Sequence, residues 1–293
     1  MLAAHTGGVY SIIDDFDGNI FSGSSDRFAT KWDLNNFSNL SFAAQLPAQI
    51  YSLTFIKNQN ILFAGTFKGF IHILNLNSNQ ETKILSNHQA AIFNLQYVEN
   101  KNLVIASSAD GCISFIDSIE LKTIKILKLC NDKVRSIRIN KDETIAIISC
   151  GDGTVRVFDL AEMKQLQEFE AHKLSANIAV FHPSKNQFIT GGRDAYLRIW
   201  NSESFELISE IPAHNFAIYD IAFSPDNKLY ATASRDKTIK IWDAQTHQLY
   251  MRIDAEKFKG HVGSVNCLFW HPFKNYLLSG SDDRTIIVWQ IDI

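Results

Sequence analysis

Neighbouring acidic residues are the part of this sequence best suited to chemistry, because paired carboxylates can exchange protons with a substrate. They occur at Asp14-Asp15, Asp142-Glu143 and Asp282-Asp283. All three pairs coincide with turn signals, where carboxylates commonly cap backbone N–H groups or face solvent. We therefore expect these residues to have structural or solvated roles and not a catalytic role.

The spacing of acidic and glycine residues does not indicate a site for a metal ion or a nucleotide. The stretch Asp15-Phe16-Asp17-Gly18-Asn19 has a weak likeness to a calcium-binding loop, but Ile20 stands where that loop needs glycine and Asp26 where it needs the final glutamate. Gly151-Asp152-Gly153 reads as a tight turn, and the sequence contains no GxxxxGKS/T, GxGxxG, GxSxG or HExxH motif. We expect no catalytic residues, no bound metal and no cofactor, and hence no enzyme activity.

The cysteines give a hint about the redox environment. Cys112, Cys130, Cys150 and Cys267 are far apart in the sequence and form no CxxC pair. A disulfide framework is not expected in a chain of this length and hydrophobicity, so the four residues are predicted to be small buried thiols. This favours a reducing, cytoplasmic setting.

Charge and composition limit the classes of partner. The formal net charge is −3, which argues against nucleic acid, because binding a phosphate backbone requires clustered lysine and arginine; a local basic patch remains compatible with this charge. The sequence has no run of about 18 apolar residues that could span a membrane. The start, Met1 to His5, lacks the charged and apolar regions of a secretory signal. We expect neither a nucleic-acid partner nor a membrane association.

Two residue series recur along the chain at a nearly constant interval. The first is an aromatic or aliphatic residue followed by Asp, Asn or Gln, at Trp32-Asp33, Leu74-Asn75, Ile116-Asp117, Phe158-Asp159, Trp200-Asn201, Trp242-Asp243 and Trp289-Gln290. The second lies upstream, at His5, Leu46, His88, Cys130, His172, His214 and His261. Most steps are 42 residues and the last step in both series is 47. This agreement predicts seven repeats, with a short insertion between Asp254 and Lys259.

Each repeat reads as four short strands, as the sixth one illustrates. Alternating apolar residues predict strands at 219–223, 229–234, 238–242 and 248–253. The stretches Ser224-Pro225-Asp226-Asn227 and Arg235-Asp236-Lys237 between them are typical of turns. A four-stranded antiparallel blade of this kind cannot bury both of its faces alone, so seven of them are expected to stack into a ring.

The repeat resembles that of the WD40 family. The residues that carry the likeness are Gly260-His261, the alanine-histidine pairs at His5, His172 and His214, the Phe-Ser-Pro-Asp at 223–226, Ser234-Arg235-Asp236 and the Trp-Asp pairs. The likeness extends over essentially the whole chain. It implies an all-β fold, namely a seven-bladed WD40-type β-propeller with four-stranded antiparallel blades, formed by residues 1–293 as a single domain.

The last blade departs from the family pattern. In that family its fourth strand usually comes from residues before the first histidine, but here only Met1 to Ala4 precede His5 and only 290–293 follow Trp289. A last blade of three strands with an exposed edge is therefore expected. A truncated chain, a misassigned start, or a strand supplied by a partner through β-augmentation would each explain it.

The resemblance also implies a buried hydrogen-bond network of a histidine, a serine or threonine, an aspartate and a tryptophan. The complete sets are His5, Ser22, Asp26 and Trp32; His172, Thr190, Asp194 and Trp200; His214, Thr232, Asp236 and Trp242; and His261, Ser279, Asp283 and Trp289. The hydroxyl can accept the indole N–H, while the aspartate orients the imidazole and caps a tight turn. We expect these residues to be structural and not catalytic.

Repeats two, three and four are expected to lack this network. The hydroxyl is replaced by Ala64, Ala106 and Ile148, and the tryptophan by Leu74, Ile116 and Phe158. Joint loss is typical of a network, because a half-satisfied one is less favourable than none. In the third repeat His88 and Asp110 remain as a candidate pair.

In the WD40 family, partners usually contact the surface formed by the loop before the first strand and the tight turn between the second and third strands of each repeat, here called the upper face. The resemblance places eight aromatic and arginine residues there: Tyr10, Tyr51, Phe67, Phe93, Arg135, Arg193, Tyr219 and Arg235. Such residues are typical of binding hot spots. Packing of the aromatic side chains in the wall of the central channel is the alternative.

We therefore expect a non-catalytic scaffold that binds a protein or peptide on the upper face around the central channel. The aromatic residues lie in one part of the predicted surface and the arginines in another, which suits a peptide with an apolar anchor and an acidic residue. A structural subunit of a multiprotein complex, held by blade sides or the open edge, is the alternative. An enzyme would need histidines and carboxylates converging on the innermost strands, where only Asp220 is found.

Overall fold

The computed structural model describes Leu2 and residues 5–291 of the chain. The strands of the first four sheets are β1 Val9–Asp14, β2 Asn19–Ser24, β3 Phe28–Asp33, β4 Ser38–Gln45; β5 Ile50–Ile56, β6 Ile61–Thr66, β7 Ile71–Asn75, β8 Gln80–Leu85; β9 Ile92–Val98, β10 Leu103–Ser108, β11 Cys112–Asp117, β12 Lys122–Lys128; and β13 Val134–Ile139, β14 Ile145–Cys150, β15 Thr154–Asp159, β16 Lys164–Glu170. Short 3-10 turns at Lys57–Gln59 and Glu99–Lys101 follow β5 and β9.

The strands of the remaining three sheets are β17 Ala176–Phe181, β18 Gln187–Gly192, β19 Tyr196–Asn201, β20 Leu207–Pro212; β21 Ile218–Phe223, β22 Leu229–Ser234, β23 Ile239–Asp243, β24 Leu249–Ile253; and β25 Val265–Trp270, β26 Tyr276–Ser281, β27 Ile286–Gln290. The bounds predicted for the sixth repeat agree with β21 to β24 to within one residue. The insertion before the last repeat contains the one-turn helix α1 Ala255–Phe258, whose Lys257 N–H donates to Asp254 Oδ1 at 2.9 Å.

Consecutive strands pair antiparallel and give six sheets of four strands and one of three among the described residues. These are the blades of a seven-bladed β-propeller. The predicted fold class is therefore confirmed, including the three-stranded last blade.

Burial differs systematically between the strands of one blade. Every residue of β10 is buried, whereas β12 alternates between exposed and half-buried residues. The two strands also differ in composition, because β10 reads Leu-Val-Ile-Ala-Ser-Ser without a charged residue, whereas β12 contains three lysines. Inner strands that pack on both faces need apolar or small residues at every position. An outer strand with one solvent-exposed face needs a buried residue only at every second position.

Two compact units are distinguished in the chain, and each is held by apolar clusters between consecutive blades. In the unit Tyr51–Ala213, Phe63 belongs to the cluster between blades two and three, and Phe115 and Phe158 to that between blades three and four. Phe188 and Trp200 of blade five, whose stacked rings have centroids 6.1 Å apart, belong to the cluster between blades four and five. Burying aromatic side chains of this size is a main source of stability.

The other unit consists of Met1–Ile50 and His214–Ile293. Ile241 and Leu268 belong to the apolar cluster between blades six and seven. Trp32 and Leu278 belong to the cluster between blades seven and one, so this unit brings together the first and last repeats of the chain.

The three-stranded last blade makes one further backbone pairing. Leu2 donates its N–H to the Ile286 oxygen at 2.7 Å and accepts the Ile286 N–H at 3.1 Å. Ile286 has the same place in β27 that Ile239 has in β23, and Ile239 pairs with Ile253 of the fourth strand β24. Leu2 therefore lies in the fourth-strand position of the last blade, and its side chain is buried.

Candidate protein-interaction site

Buried polar networks hold together the loops and turns of the upper face. In the sixth blade, His214 Nδ1 lies 2.9 Å from Asp236 Oδ2, and His214 Nε2 lies 2.8 Å from Thr232 Oγ1. The Trp242 indole N–H donates to the same hydroxyl at 3.0 Å. One network therefore joins the loop before β21, the strands β22 and β23, and the turn between them.

The same contacts occur in the first, fifth and seventh blades. The histidines His5, His172 and His261 each lie 2.8 Å from the aspartate of their set. The indole N–H donates to the serine or threonine hydroxyl at distances of 2.7, 3.0 and 2.8 Å. All four complete sets are thus hydrogen-bonded, and their members are occupied with one another.

In the sixth blade, burial and hydrogen bonding decide the charge state of the network. Burial lowers the pKa of His214, although Asp236 acts in the opposite direction. Burial by itself raises the pKa of Asp236, but hydrogen bonds from His214, Thr238 and the Asn215 N–H outweigh it and hold that pKa well below its ordinary value. A neutral His214 imidazole therefore donates its Nδ1–H to the ionised Asp236 carboxylate and accepts the Thr232 hydroxyl proton at Nε2. The oxygen of that hydroxyl is then able to accept the Trp242 indole N–H.

The third blade also has a network. His88 Nδ1 lies 3.0 Å from Asp110 Oδ2, and His88 Nε2 lies 2.9 Å from Ser114 Oγ. Ser114 is on β11, directly opposite Ala106 of β10. The predicted pair of His88 and Asp110 is confirmed, and Ile116 stands at the tryptophan position. The absence of a hydroxyl was predicted wrongly, because Ser114 supplies one from the third strand instead of the second.

Blades two and four have ion pairs at the same third-strand position. His72 pairs with Glu81, and Arg156 pairs with Asp152 at 3.0 Å and with Glu168 at 3.1 Å. The position recurs at Thr30, His72, Ser114, Arg156, Arg198 and Lys240, again at steps of 42 residues. Sequence analysis missed it because only the histidine and tryptophan series were followed, although the interval itself would have shown it.

Several residues predicted for the upper face lie at a β-bulge near the start of the first strand. In six blades the pairing of the first strand with the second skips one residue: Tyr10, Phe93, Arg135, Asn177, Tyr219 and Asn266. The extra residue of a bulge leaves the ladder, and its side chain is re-aimed. Four residues predicted for the upper face are therefore bulge residues, namely Tyr10, Phe93, Arg135 and Tyr219.

Four predicted residues form a continuous row within Tyr51–Ala213, here called the aromatic–arginine row: Phe67, Tyr51, Phe93 and Arg135. The Tyr51 ring lies 6.0 Å from the Phe67 ring and 5.9 Å, edge to face, from the Phe93 ring. The Arg135 guanidinium lies over the Phe93 ring at 5.0 Å. Phe67 is 51% exposed and the other three are half-buried. Such a row offers a partner apolar area beside a positive charge.

A cleft of about 340 Å³ lies at the arginine end of this row and is called the basic cleft. Its walls come from the loops before β13 and β17 and the turns after β14 and β18. The lining residues are Asp132, Lys133, Arg135, Gly151, Asp152, Lys173, Leu174, Ser175 and Arg193. Four cationic side chains thus face two carboxylates, although the whole chain carries a net charge of −3. Lys133 and Lys173 were not predicted for this face.

The other unit contains the remaining predicted residues, Tyr10, Tyr219 and Arg235. The Arg235 guanidinium lies 5.9 Å from the centroid of Phe216, which is 57% exposed. Tyr219 is half-buried and has no ring contact or ion pair with another described residue. The structure therefore does not join these three residues as it joins the aromatic–arginine row. It adds Phe216, which sequence analysis missed because the loop position it occupies was not compared between repeats.

Other chemistry is not indicated by the part of the chain that the structure covers. Among the described residues, no group of three or more histidine, cysteine or acidic side chains could hold a metal ion. No helix in the described ranges is long and apolar enough to cross a membrane. The four cysteines are free thiols; three are buried as predicted, and Cys112, at the first position of β11, is half-buried.

Comparisons with known proteins agree with this architecture. A family model described as WD domain, G-beta repeat matches residues 1–33, 121–159, 163–201, 205–243 and 254–290, which is more than half of the chain. A segment of 33 residues is 54% identical to human WD repeat and FYVE domain-containing protein 1 and 48% identical to the protein of that name from mouse and from cattle. This segment is 11% of the chain, and it spans only 8% of the length of those relatives.

Proposed function

The chain belongs to the WD40 repeat family, and on this premise we propose that it is a scaffold without catalytic activity that binds a protein or peptide on its upper face. WD40 propellers are typically protein-interaction scaffolds and are generally non-catalytic. We propose the upper face of Tyr51–Ala213 as the main binding surface, and a protein or peptide as the partner in preference to a nucleic acid or a membrane.

The aromatic–arginine row is the observation that carries this proposal. Its rings contact one another at centroid distances of 5.9 and 6.0 Å, so a partner that covers them removes one continuous apolar surface from water. Phe93 and Arg135 are bulge residues, which is typical of side chains re-aimed for function. The histidines and aspartates that resemble catalytic groups are instead hydrogen-bonded within their blades.

The proposal can be tested by capture from a lysate of the source organism with the wild-type chain and two variant baits. The first bait carries Tyr51→Ala and Phe93→Ala, which removes the centre of the row. The matched control carries Tyr250→Ala and Phe273→Ala, a tyrosine and a phenylalanine exposed on an outer strand and in the turn between β25 and β26. Both are first checked to unfold at the same temperature as the wild-type chain.

Proteins captured by the wild-type and control baits but not by the Tyr51→Ala, Phe93→Ala bait would support the upper face and identify the partner. The same proteins captured by all three baits would exclude the row as the binding surface. Losing two interface aromatics typically weakens binding by about 2 kcal/mol or more, enough to lose a partner of micromolar affinity in the washes.

A structural subunit of a larger complex is the second candidate, and the last blade favours it. Among the described residues that sheet has three strands, and Leu2 pairs with Ile286 in the fourth-strand position. A strand from a partner could add to this edge by β-augmentation. Slower amide hydrogen exchange at 287–290 in the purified complex than in the free chain would support this candidate, and unchanged exchange would exclude it.

We also propose that the protein works in the cytoplasm. The support is the set of four cysteines, all of them free thiols, which suits a reducing compartment. Fluorescence microscopy of the tagged full chain in its source cell tests this, and enrichment in an oxidising compartment would contradict it.

A further inference from the structure

We infer that the basic cleft binds the negatively charged group of an acidic peptide whose apolar side chain lies on Tyr51 and Phe93. The inference rests on the proposed function and adds the chemistry of the partner to it. The negative group is a carboxylate or a phosphoryl group, since both are planar or tetrahedral anions that lysine and arginine recognise.

The first support is the charge balance of the cleft. Lys133, Lys173 and Arg193 make no ion pair with any carboxylate in the described part of the chain. The two acidic residues of the cleft are already engaged. Asp152 accepts hydrogen bonds from Arg156 and Thr154, and the Asp132 carboxylate accepts the Lys133 N–H at 2.7 Å.

Asp152 is ionised, yet the cleft keeps a surplus of positive charge. Burial by itself raises its pKa, but the hydrogen bonds from Arg156 and Thr154 outweigh burial and leave the pKa below its ordinary value. Arg156, which lies outside the cleft lining, pairs with both Asp152 and Glu168. The four cations of the cleft and Arg156, five in all, are therefore set against the three carboxylates of Asp132, Asp152 and Glu168, which leaves a net charge of +2. The positive charge of Lys133, Lys173 and Arg193 is left for a ligand, and opposite charge across an interface favours association.

The second support is the distance between the cleft and the apolar part of the row. The ring centroids of Tyr51 and Phe93 are 5.9 Å apart, and the Arg135 guanidinium lies 5.0 Å from the Phe93 centroid. The Arg135 guanidinium is therefore at most about 11 Å from the Tyr51 ring. An extended peptide advances about 3.3 Å per residue. An apolar side chain and an acidic side chain two to four residues apart would therefore reach both parts together.

The test is an array of octapeptide pools probed with the full chain carrying a fluorescent label. Each pool fixes one leucine and, one to five residues away, one glutamate, phosphoserine, glutamine or lysine; the other positions mix uncharged, non-aromatic residues. A single-stranded oligonucleotide is spotted beside them. The chain is used as wild type, as Lys133→Ala with Lys173→Ala, and as Tyr51→Ala with Phe93→Ala.

Lys101→Ala with Lys141→Ala is the matched control. It removes two lysines from the turns between the first and second strands of blades three and four, and both are exposed, as Lys133 and Lys173 are. We expect glutamate or phosphoserine pools at separations of two to four to bind best. Binding should weaken by about tenfold in the Lys133→Ala, Lys173→Ala chain and stay unchanged in the control.

The two acidic pools decide which anion is preferred, and either preference supports the inference. Equal binding of glutamate and glutamine pools that still requires Tyr51 and Phe93 would overturn acid recognition and leave the proposed function intact. No peptide pool bound above background would count against both. An oligonucleotide that binds more tightly than every peptide pool, and requires Lys133 and Lys173, would replace the peptide with nucleic acid.

Discussion

His88 Nε2 and Ser114 Oγ lie 2.9 Å apart, and this contact replaces one that other blades make with a different strand. In the first, fifth, sixth and seventh blades the histidine reaches a hydroxyl on the second strand, whereas Ser114 is on the third. The two strand positions face each other across the ladder, as Ala106 and Ser114 do. Either position can therefore supply the hydroxyl that the buried imidazole needs.

Replacing Ser114 tests directly whether its hydroxyl takes the place of the second-strand hydroxyl of the other blades. We expect Ser114→Ala to lower the free energy of unfolding by about 1–3 kcal/mol, because it leaves the buried His88 Nε2 without a hydrogen-bond partner. Adding Ala106→Ser on the opposite strand should restore part of the loss, since it places a hydroxyl where other blades have one. Urea unfolding followed by tryptophan fluorescence measures both changes.

Ser107→Ala is the matched control, one strand away in the same blade. The Ser107 hydroxyl is buried and has no hydrogen-bond partner among the described residues, so its removal should be neutral or slightly stabilising. An equal loss of stability in Ser114→Ala and Ser107→Ala would show that burial of any serine matters here and not the bond to His88.

The fold could be predicted from the sequence because it depends on a repeated interval. Trp32, Trp200 and Trp242 mark the third strand of their blades, and the strand bounds of the sixth repeat follow from alternation. Ser114 could not be predicted from the family pattern, because that pattern assigns the hydroxyl to the second strand. The register of β10 with β11 was needed to see that the two positions are opposite each other.

The candidate site was predicted less completely, and the reason is geometric. The position of Phe93 and Arg135 in the repeat could be counted, but the bulge that separates them from their strand ladder depends on backbone pairing. The basic cleft joins two blades, so Lys133 and Lys173 become neighbours only through packing. Contacts between side chains of different repeats cannot be predicted from the repeat interval.

Asp236→Ala tests whether the complete networks are structural. The Asp236 carboxylate accepts the Asn215 and Thr238 N–H groups and bonds to His214, so its removal leaves several donors unpaired. We expect a loss of about 1–3 kcal/mol in the free energy of unfolding and unchanged partner capture at a temperature where the variant is folded. A variant that unfolds like wild type and fails to bind would assign Asp236 to the interface instead.

The networks also predict a pH dependence of stability. Burial lowers the pKa of His172 and His214 from 6.5 in the folded chain, so the unfolded chain takes up protons first as the pH falls below 6.5. Their contribution is present above pH 6.5 and is lost as the pH falls towards the folded-state pKa. The aspartates affect the stability at a lower pH than the histidines. For Asp194 and Asp283 hydrogen bonding outweighs burial and holds the pKa below 3.8, so their contribution is lost only below that value.

Unfolding in urea at several values between about pH 7 and pH 5 measures the histidine part. The free energy of unfolding should fall over this range in the wild-type chain. His172→Gln with His214→Gln should be less stable at pH 7 and should show a smaller fall, because the two titrating groups are gone. A wild-type chain with constant stability over the same range would contradict the neutral, buried state of these imidazoles.

Phe216 and Arg235 test how far the binding surface extends beyond Tyr51–Ala213. The guanidinium lies 5.9 Å from an exposed ring, so the pair can present apolar area and charge as Phe93 and Arg135 do. We expect Phe216→Ala to weaken partner binding about 2–5-fold and to change stability by less than about 0.5 kcal/mol, as is usual for surface positions. Phe273→Ala is the control, because Phe273 is also exposed, at 74%, but lies in the turn between β25 and β26. Unchanged binding by Phe216→Ala, together with loss of binding by Tyr51→Ala with Phe93→Ala, would confine the site to the aromatic–arginine row and the basic cleft.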